Sequence, residues 1–224
     1  MAEKSSVFDM IGPIMIGPSS SHTAGVVRIA RAAVKLLGAI PDEADITFYN
    51  SFARTYEGHG SDRAILAGLL DYATDDPRIK DALDLAAQHG LSFHFKSVGN
   101  ASTLHPNSIR LQLKKGSKSL EVIGESKGGG IINIAEVNGF RADFSTRQHT
   151  LVAFADDVKG TIAFIASVLA NENCNIANMS VSRKGKHDLA CQVIEMDSAI
   201  RPVTLQYLQS LSWMKELIYI PEIK

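Results

Sequence analysis

LVAFADDVKGTIAFIASVLANEN, residues 151–173, changes its hydrophobic period halfway, and this change decides the fold of the second half of the chain. LVAFA is a continuous apolar run of the length of a buried strand. TIAFIASVLANEN instead has apolar residues at helical spacing, which predicts a helix with one face turned inward. That face consists of Ile162, Ile165, Val168 and Leu169.

The residues that follow continue this alternation to the end of the sequence. The later elements are two strands, NIANMSVSRK and DLACQVIEM, around a turn at 184–186, then a helix, PVTLQYLQSL, and a strand, WMKELIYI. The resulting order over residues 150–224 is β-α-β-β-α-β, which is ferredoxin-like.

The first half mixes helices and short strands. A helix is predicted from Ser21 to Gly38, a strand over residues 45–52 (DITFYNSF), and further helices after 58–60 and over 76–90. The short strands that follow are LSFHF, SIRLQLKK, SLEVIG, IINIAEV and FRADF, the last two joined by an Asn138-Gly139 hairpin turn. The chain is therefore predicted to be α+β, with a mixed α+β domain at 1–146, a linker near STRQ (145–148) and a ferredoxin-like domain at 149–224.

Composition excludes several classes of protein. With 224 residues, 45% hydrophobic content and a net charge of −1, the chain has no basic stripe for nucleic acid or an anionic membrane surface. No apolar run approaches the roughly 20 residues that span a bilayer, and the N-terminal residues lack a signal-peptide core, so we expect a cytoplasmic protein. Only Cys174 and Cys191 are present, too few for a disulfide framework or a cysteine-ligated metal site.

MIGPSSSHTAG, residues 15–25, places three serines and a histidine at a predicted helix start. The first N–H groups of a helix lack internal partners and attract anions, so a carboxylate or phosphate would fit there. The alternative is structural: Ser20 or Ser21 caps the helix and His22 is incidental. The spacing matches neither a Gly-x-Ser-x-Gly nucleophile elbow nor a P-loop.

His59 is a second histidine at a second helix start, and flanking glycines leave its imidazole accessible. Neutral histidine accepts protons near pH 7, and a helix N-terminus favours that neutral form. One histidine would then be a base and the other a binder, although His59 taken alone is an ordinary loop histidine. Residues 99–107 are either a surface turn or a source of polar groups, and 127–130 either a hinge or bulge or an approach to an anion or partner.

Three motifs together resemble a known family. With FDMIGPIMIGPSSSHTAG (8–25), EGHGSD (57–62) and ESKGGG (125–130), the chain resembles the beta subunit of bacterial iron-sulfur-dependent L-serine dehydratase along essentially its whole length. GPSSSHT is the most specific of these motifs, and the glycine run is the weakest.

The resemblance implies a reaction and its residues. Family enzymes convert L-serine to pyruvate and ammonia with a four-iron four-sulfur cluster, whose open iron binds the substrate carboxylate and hydroxyl and acts as a Lewis acid. His59 would be the base that removes the α-proton. The residues positioning the substrate would be His22, Ser19, Ser20, Ser21 and Thr23. Because this chain has two cysteines, an alpha subunit would supply the cluster ligands.

Residues 150–224 also resemble an ACT domain, a module that binds amino acids and joins its copies side by side. The resemblance implies ligand contacts at Asp157, Gly160 and Asn175, and a homodimer through edge strands of this domain; the alternative is a purely structural dimerisation module. Two other functions are open: a regulatory subunit that binds an amino acid without chemistry, and a self-sufficient hydrolase using residues 19–22.

Overall fold

The computed structural model describes residues 12–99, 103–186 and 188–223. By packing, the chain forms two compact units, one running to Ile134 and the other spanning Ala135–Ile223. Both combine helices with β-strands, which confirms the α+β class. Motif residues 8–11 and loop residues 100–102 lie outside the described residues.

The bounds of the elements follow the chain. The helices are α1 (Gly25–Leu37), α2 (Asn50–Thr55), α3 (Ser61–Leu69), α4 (Ala82–Gln88), α5 (Thr161–Asn171) and α6 (Pro202–Gln209), with a π-helical turn (Ser20–Ala24) before α1 and a 3₁₀ turn (Pro77–Asp81) before α4. The strands are β1 (Glu43–Tyr49), β2 (Ser92–Val98), β3 (Ser108–Lys115), β4 (Lys118–Gly128), β5 (Ile131–Val137), β6 (Phe140–Phe144), β7 (His149–Asp156), β8 (Ile176–Arg183), β9 (Leu189–Met196) and β10 (Met214–Ile220). Among the described residues, no helix has the length and apolar character needed to cross a membrane.

The first sheet has the strand order β2-β1-β3-β4-β5-β6. Strand β1 runs parallel to β2 and antiparallel to β3, and β3 is antiparallel to β4. Helix α1 packs on β4 so closely that a Cβ at Gly124 would lie 2.4 Å from Ile29 Cγ2. Helix α3 packs equally closely on α1, since a Cβ at Gly68 would lie 2.5 Å from the carbonyl oxygen of Val27. Glycine at both positions lets backbone and side chain approach where any larger residue would clash.

The strand predicted over residues 45–52 is wrong in its second half. Strand β1 ends at Tyr49, and Asn50 takes a positive φ of 51°. Asparagine tolerates this left-handed conformation, and its Nδ2 donates a 3.0 Å hydrogen bond to the carbonyl of Leu104. The chain turns there into the short helix α2, which carries the buried Phe52. The helix predicted over 76–90 also differs, since a 3₁₀ turn precedes the shorter α4.

The second unit holds a four-stranded sheet in the order β10-β7-β9-β8. Helices α5 and α6 cover one face, and the predicted β-α-β-β-α-β order is confirmed. The core between them is apolar and includes Leu151, Ile165, Leu169, Ile194 and Leu208. Ile162, predicted to face inward, is 45% exposed, because at the first turn of α5 it borders a surface cavity instead of the core.

Strand β6 and the residues after it also belong to the second unit. Ser180 Oγ and Ser182 Oγ on β8 donate hydrogen bonds to the carbonyls of Ala142 and Arg141 on β6. The predicted linker is also held here, since the backbone N–H and Oγ of Ser145 both donate to Glu195. The domain limits 1–146 and 149–224 stay a prediction, because packing divides the chain inside β5.

Candidate active site

The π-helical turn before α1 begins with a serine cap. Ser19 is extended (φ −143°, ψ 124°), and its Oγ accepts a 3.2 Å hydrogen bond from the backbone N–H of His22. The prediction of Ser20 or Ser21 as the cap is therefore wrong by one or two positions. At the other end of the turn, the N–H of Gly25 donates to the carbonyl of Ser20. Such wide turns occur often at functional sites, and this one holds His22 in the first turn.

His22 is half-buried and has polar partners at both ring nitrogens. Its Nδ1 lies 3.0 Å from Ser21 Oγ and 3.3 Å from Ser19 Oγ. Its Nε2 lies 3.0 Å from Thr55 Oγ1 at the end of α2. Burial, followed by the neighbouring His59, lowers the pKa of His22 below its usual value. The neutral imidazole is thus favoured near pH 7.

His59 lies against His22, with ring centroids 4.6 Å apart and planes inclined by 31°. Its Nδ1 is 3.2 Å from the carbonyl oxygen of Thr55, and its backbone N–H donates to the same oxygen at 3.1 Å. Gly60 follows with a positive φ of 67°, which allows the chain to turn directly into α3. The structure therefore brings together the two histidines that are predicted to act as a pair.

Ser61 joins the two helix starts by a hydrogen bond. It is completely buried, and its Oγ donates a 2.8 Å hydrogen bond to the carbonyl oxygen of His22. The first residue of α3 therefore holds the turn that carries His22.

The other predicted substrate-binding residues face the preceding loop. A Cβ at Gly12 would lie 3.0 Å from Ser20 Cβ, and one at Gly17 would lie 2.4 Å from Thr23 Oγ1. Thr23 is 2% exposed, and its Oγ1 has no hydrogen-bond partner among the described residues. Of the predicted set, Ser19 and Ser21 thus contact His22 through their hydroxyls, whereas Ser20 and Thr23 pack against the glycines before it.

The glycine run at 128–130 forms the turn between β4 and β5, with positive φ at all three positions. A Cβ at Gly130 would lie 2.7 Å from the ring of Pro13, and its carbonyl accepts a 2.7 Å hydrogen bond from Arg28 Nη1. Ser126, just before the run, is completely buried, and a Cβ at Gly25 would lie 2.3 Å from its Oγ. The run therefore lets the β4–β5 turn lie against the loop before α1.

A third histidine, His105, lies in the loop at 99–107, for which the sequence allows either a surface turn or a source of polar groups. Its Nδ1 accepts a 3.2 Å hydrogen bond from the N–H of Asn107. Burial, followed by Lys127, lowers its pKa. The N–H of Ser51 donates to the carbonyl of Pro106 at 2.9 Å, so this loop lies against the start of α2.

From the sequence, Thr55 has no predicted role, His105 is only part of the segment 99–107 that is either a surface turn or a source of polar groups, and Ser61 is only part of a helix start. For Ser61 that position was the available signal. Nothing in the local pattern points to Thr55, because the alternation over residues 45–52 predicts a strand that runs past the start of α2 at Asn50.

A separate cavity of about 390 Å³ lies in the second unit, at the start of α5. Asp157 and Gly160 line it, as does Gln192, whose Nε2 donates to Thr161 Oγ1 at 3.3 Å. Gln192 is 1% exposed, and its Oε1 has no hydrogen-bond partner among the described residues. Gln192 thus lines the cavity and carries a buried amide oxygen that no described residue satisfies.

Asn175 lies elsewhere in the same unit. Its Nδ2 donates to Asp197 at 2.7 Å. The register pairs Ile176 with Met196 and Met196 with His149, so Asn175 lies at the end of the sheet opposite to the cavity. Asp157 and Asn175 therefore do not line the same cavity of this chain. A ligand contact at Asn175 stays a prediction.

Comparison with known proteins identifies relatives that align with most of this chain. A family model described as serine dehydratase beta chain matches residues 6–88. The probable L-serine dehydratase, beta chain, of Bacillus subtilis (strain 168) is 44% identical over 218 residues, 97% of each chain. The L-serine dehydratase, beta chain, of Peptoniphilus asaccharolyticus is 34% identical over 196 residues, 87% of this chain and 88% of that one. The L-serine dehydratase of Helicobacter pylori (strain ATCC 700392 / 26695) is 32% identical over 171 residues, which cover 62% of this chain and 37% of that protein.

Proposed function

This chain belongs to the family of L-serine dehydratase beta chains, and from that premise we propose that it works with an alpha subunit to convert L-serine to pyruvate and ammonia. The observation that carries the proposal is 44% identity along 97% of both chains to a relative of that name. The segment matched by the family model, residues 6–88, contains both His22 and His59.

The proposed reaction begins with removal of a proton from the α-carbon of L-serine. Loss of the β-hydroxyl as water leaves 2-aminoacrylate, which tautomerises to an imine, and hydrolysis of the imine yields pyruvate and ammonia. The water consumed in the hydrolysis of the imine balances the water released when the β-hydroxyl is lost. A base with a free lone pair near neutral pH is needed for the first step, and histidine suits it.

We assign this base to His59 and the positioning of the substrate to the turn before α1. His59 is partly exposed, so a substrate can reach it. The hydroxyls of Ser19 and Ser21 contact Nδ1 of His22, whose ring centroid lies 4.6 Å from that of His59. Hydroxyl groups donate hydrogen bonds to carboxylates, so this side of the site is suited to the carboxylate of serine.

The residues of this chain do not fit an iron-sulfur cluster. Cys174 and Cys191 are both buried, and burial raises the pKa of the Cys191 thiol to about 12, which opposes the thiolate form that ligates iron. Within the described ranges, no group of three or more His, Cys, Asp or Glu side chains is placed to hold a metal ion. We therefore place the ligands of the four-iron four-sulfur cluster on the alpha subunit.

The longer relative supports the need for a partner. The residues of this chain that align with the Helicobacter pylori L-serine dehydratase cover 37% of that protein. We infer that the remainder of that protein takes the place of a separate alpha subunit, so that in the present case the active site is shared between two chains.

For the second unit, we propose that the cavity at the start of α5 binds an amino acid, as ACT domains do. The first N–H groups of α5 have no side-chain cap at Gly160 and would suit a carboxylate. The buried Oε1 of Gln192 would accept from the amino group. A homodimer through the edge strands β8 or β10 belongs to the same proposal.

The test is pyruvate formation from L-serine, measured anaerobically with this chain alone, with the alpha subunit alone and with an equimolar mixture. We expect turnover in the mixture alone, because each chain holds part of the site. Full activity of the alpha subunit by itself would reduce this chain to a regulator. Activity of this chain by itself would contradict the placement of the cluster ligands.

A further inference from the structure

We propose that Thr55 is a positioning residue that sets the tautomers of both histidines, through its hydroxyl at His22 and its carbonyl at His59. The tautomers follow from hydrogen-bond geometry and do not depend on the reaction. Their effect on turnover rests on the proposed function.

The hydroxyl of Thr55 has a single proton, and this proton is already in use. Thr55 Oγ1 donates a 2.9 Å hydrogen bond to the carbonyl of Ser51, one turn earlier in α2. Its contact with His22 Nε2 at 3.0 Å must then have the oxygen as acceptor. Nε2 of His22 therefore carries the proton.

The other ring nitrogen of His22 is consequently an acceptor in the neutral form. Burial and His59 lower the pKa of His22, so the neutral ring is favoured and Nδ1 has a lone pair. Ser21 Oγ at 3.0 Å, or Ser19 Oγ at 3.3 Å, donates to this lone pair. Because a serine hydroxyl already donates to the lone pair on Nδ1, His22 is suited to orienting hydroxyls. It is poorly suited to taking a proton from the substrate.

The opposite tautomer follows for His59. The acceptor at its Nδ1 is the carbonyl oxygen of Thr55, which has no proton to give, so Nδ1 donates across the 3.2 Å contact. In the neutral ring, Nε2 then has the lone pair, and no described residue makes a hydrogen bond to it. One residue thus gives His22 and His59 opposite tautomers and leaves Nε2 of His59 as the basic atom.

This geometry separates two roles that the sequence left interchangeable. A general base needs an unoccupied lone pair directed at the substrate proton. His59 Nε2 meets this condition and His22 Nδ1 does not. The base assignment then has a structural reason in addition to the family resemblance.

The tautomers can be measured directly on the isolated chain labelled with ¹⁵N-histidine. Long-range ¹H–¹⁵N correlation spectra at neutral pH distinguish protonated from lone-pair nitrogens, and His22→Gln and His59→Asn variants assign the signals. We expect a protonated Nε2 in His22 and a protonated Nδ1 in His59. A His59 ring protonated at Nε2, or a His22 ring protonated at Nδ1, would overturn the proposal without any activity measurement.

Substitution of Thr55 tests the side-chain half of the proposal. Thr55→Val removes the acceptor at similar volume, and Thr55→Ser restores it. We expect Thr55→Val to mix the tautomers of His22, to leave His59 with Nδ1 protonated, and to lower kcat of the reconstituted enzyme about 10- to 100-fold, the cost of a misplaced reacting group. Thr55→Ser should recover both the spectrum of His22 and most of kcat.

Thr150→Val is the matched control, since Thr150 is a buried threonine of the second unit whose hydroxyl also donates to a backbone carbonyl. It should change neither the histidine spectrum nor kcat. An unchanged His22 spectrum in Thr55→Val would refute the positioning role. The expected spectra combined with normal turnover by His59→Asn would retain the tautomers and instead refute the proposed base.

Discussion

At the scale of single residues, the site depends on two imidazoles in contact. Burial, followed by the neighbouring ring of His59 with its centroid 4.6 Å away, lowers the pKa of His22. Their hydrogen-bond environments differ: three hydroxyl groups contact the ring nitrogens of His22, whereas Nδ1 of the partly exposed His59 contacts a backbone carbonyl. This difference is the basis on which the proposed reaction assigns the two identical side chains different roles.

His59→Asn in the reconstituted enzyme should lower kcat by about 10²- to 10⁴-fold, the usual contribution of a general base, with a much smaller change in KM. Steady-state pyruvate assays at saturating L-serine would measure it. His89→Asn is a suitable control, because His89 also places Nδ1 against the carbonyl four residues earlier, at 2.8 Å, on an exposed helix end. Near-normal turnover by His59→Asn would contradict the assigned base, and an equal loss in His89→Asn would indicate a general structural effect.

At the scale of elements, the close packing of α1 on β4 supports the site. The π-helical turn that carries His22 continues directly into α1, and α1 is buried along most of its length. Ile29 sits in the space left by the missing side chain of Gly124. Any shift of α1 on the sheet is transmitted to the histidine at its start.

A double-mutant cycle on Gly124 and Ile29 tests this contact. Gly124→Ala alone should destabilise the chain by about 1–3 kcal/mol through overpacking, and Ile29→Ala alone by about 2–5 kcal/mol through loss of buried volume. The double variant should cost less than the sum by at least about 0.5 kcal/mol, because the new methyl group occupies part of the vacated space. Urea unfolding followed by circular dichroism measures all three, and strict additivity would show that the two residues do not share this space.

The element scale also shows how much of the fold was predictable. Helix α1, its end at Gly38, helix α3 and the β5–β6 hairpin at Asn138 follow from local periodicity and turn chemistry. The start of helix α2 does not follow from local pattern, because Ile46, Phe48, Asn50 and Phe52 alternate as residues on one face of a strand do. What ends the strand is a hydrogen bond from Asn50 to Leu104, 54 positions along the chain.

At the scale of the whole molecule, stability should depend on pH through two half-buried histidines. Burial lowers the folded-state pKa of His22 and of His105 below the ordinary 6.5. As pH falls below about 6.5, the unfolded chain therefore takes up protons that the folded chain resists. The stability contributed by these neutral rings is complete above the unfolded-state pKa and is lost as pH falls toward the folded-state pKa.

The free energy of unfolding should accordingly decrease between about pH 7.5 and pH 5.5, and His22→Gln should reduce the slope of that decrease. Urea titrations at several pH values would measure the slope. His94→Gln, at an exposed position on β2, serves as the control and should keep the slope of the unaltered chain. A slope that is the same in His22→Gln would show that His22 does not resist protonation in the folded state.

The sequence alone determined the α+β class, the β-α-β-β-α-β order of the second half and the two histidines at helix starts, because hydrophobic period, capping and turn residues act over a few neighbouring positions. The tertiary structure decided what those histidines contact. Thr55 contacts both because β1 ends before Asn50 and α2 begins there, where the side chain of Asn50 bonds to Leu104 in a loop distant in sequence. It also separated Asn175 from Asp157, since a helix that joins two parallel strands returns the chain to the opposite end of the sheet. Contacts of this kind depend on residues far apart in the chain, and no local pattern contains them.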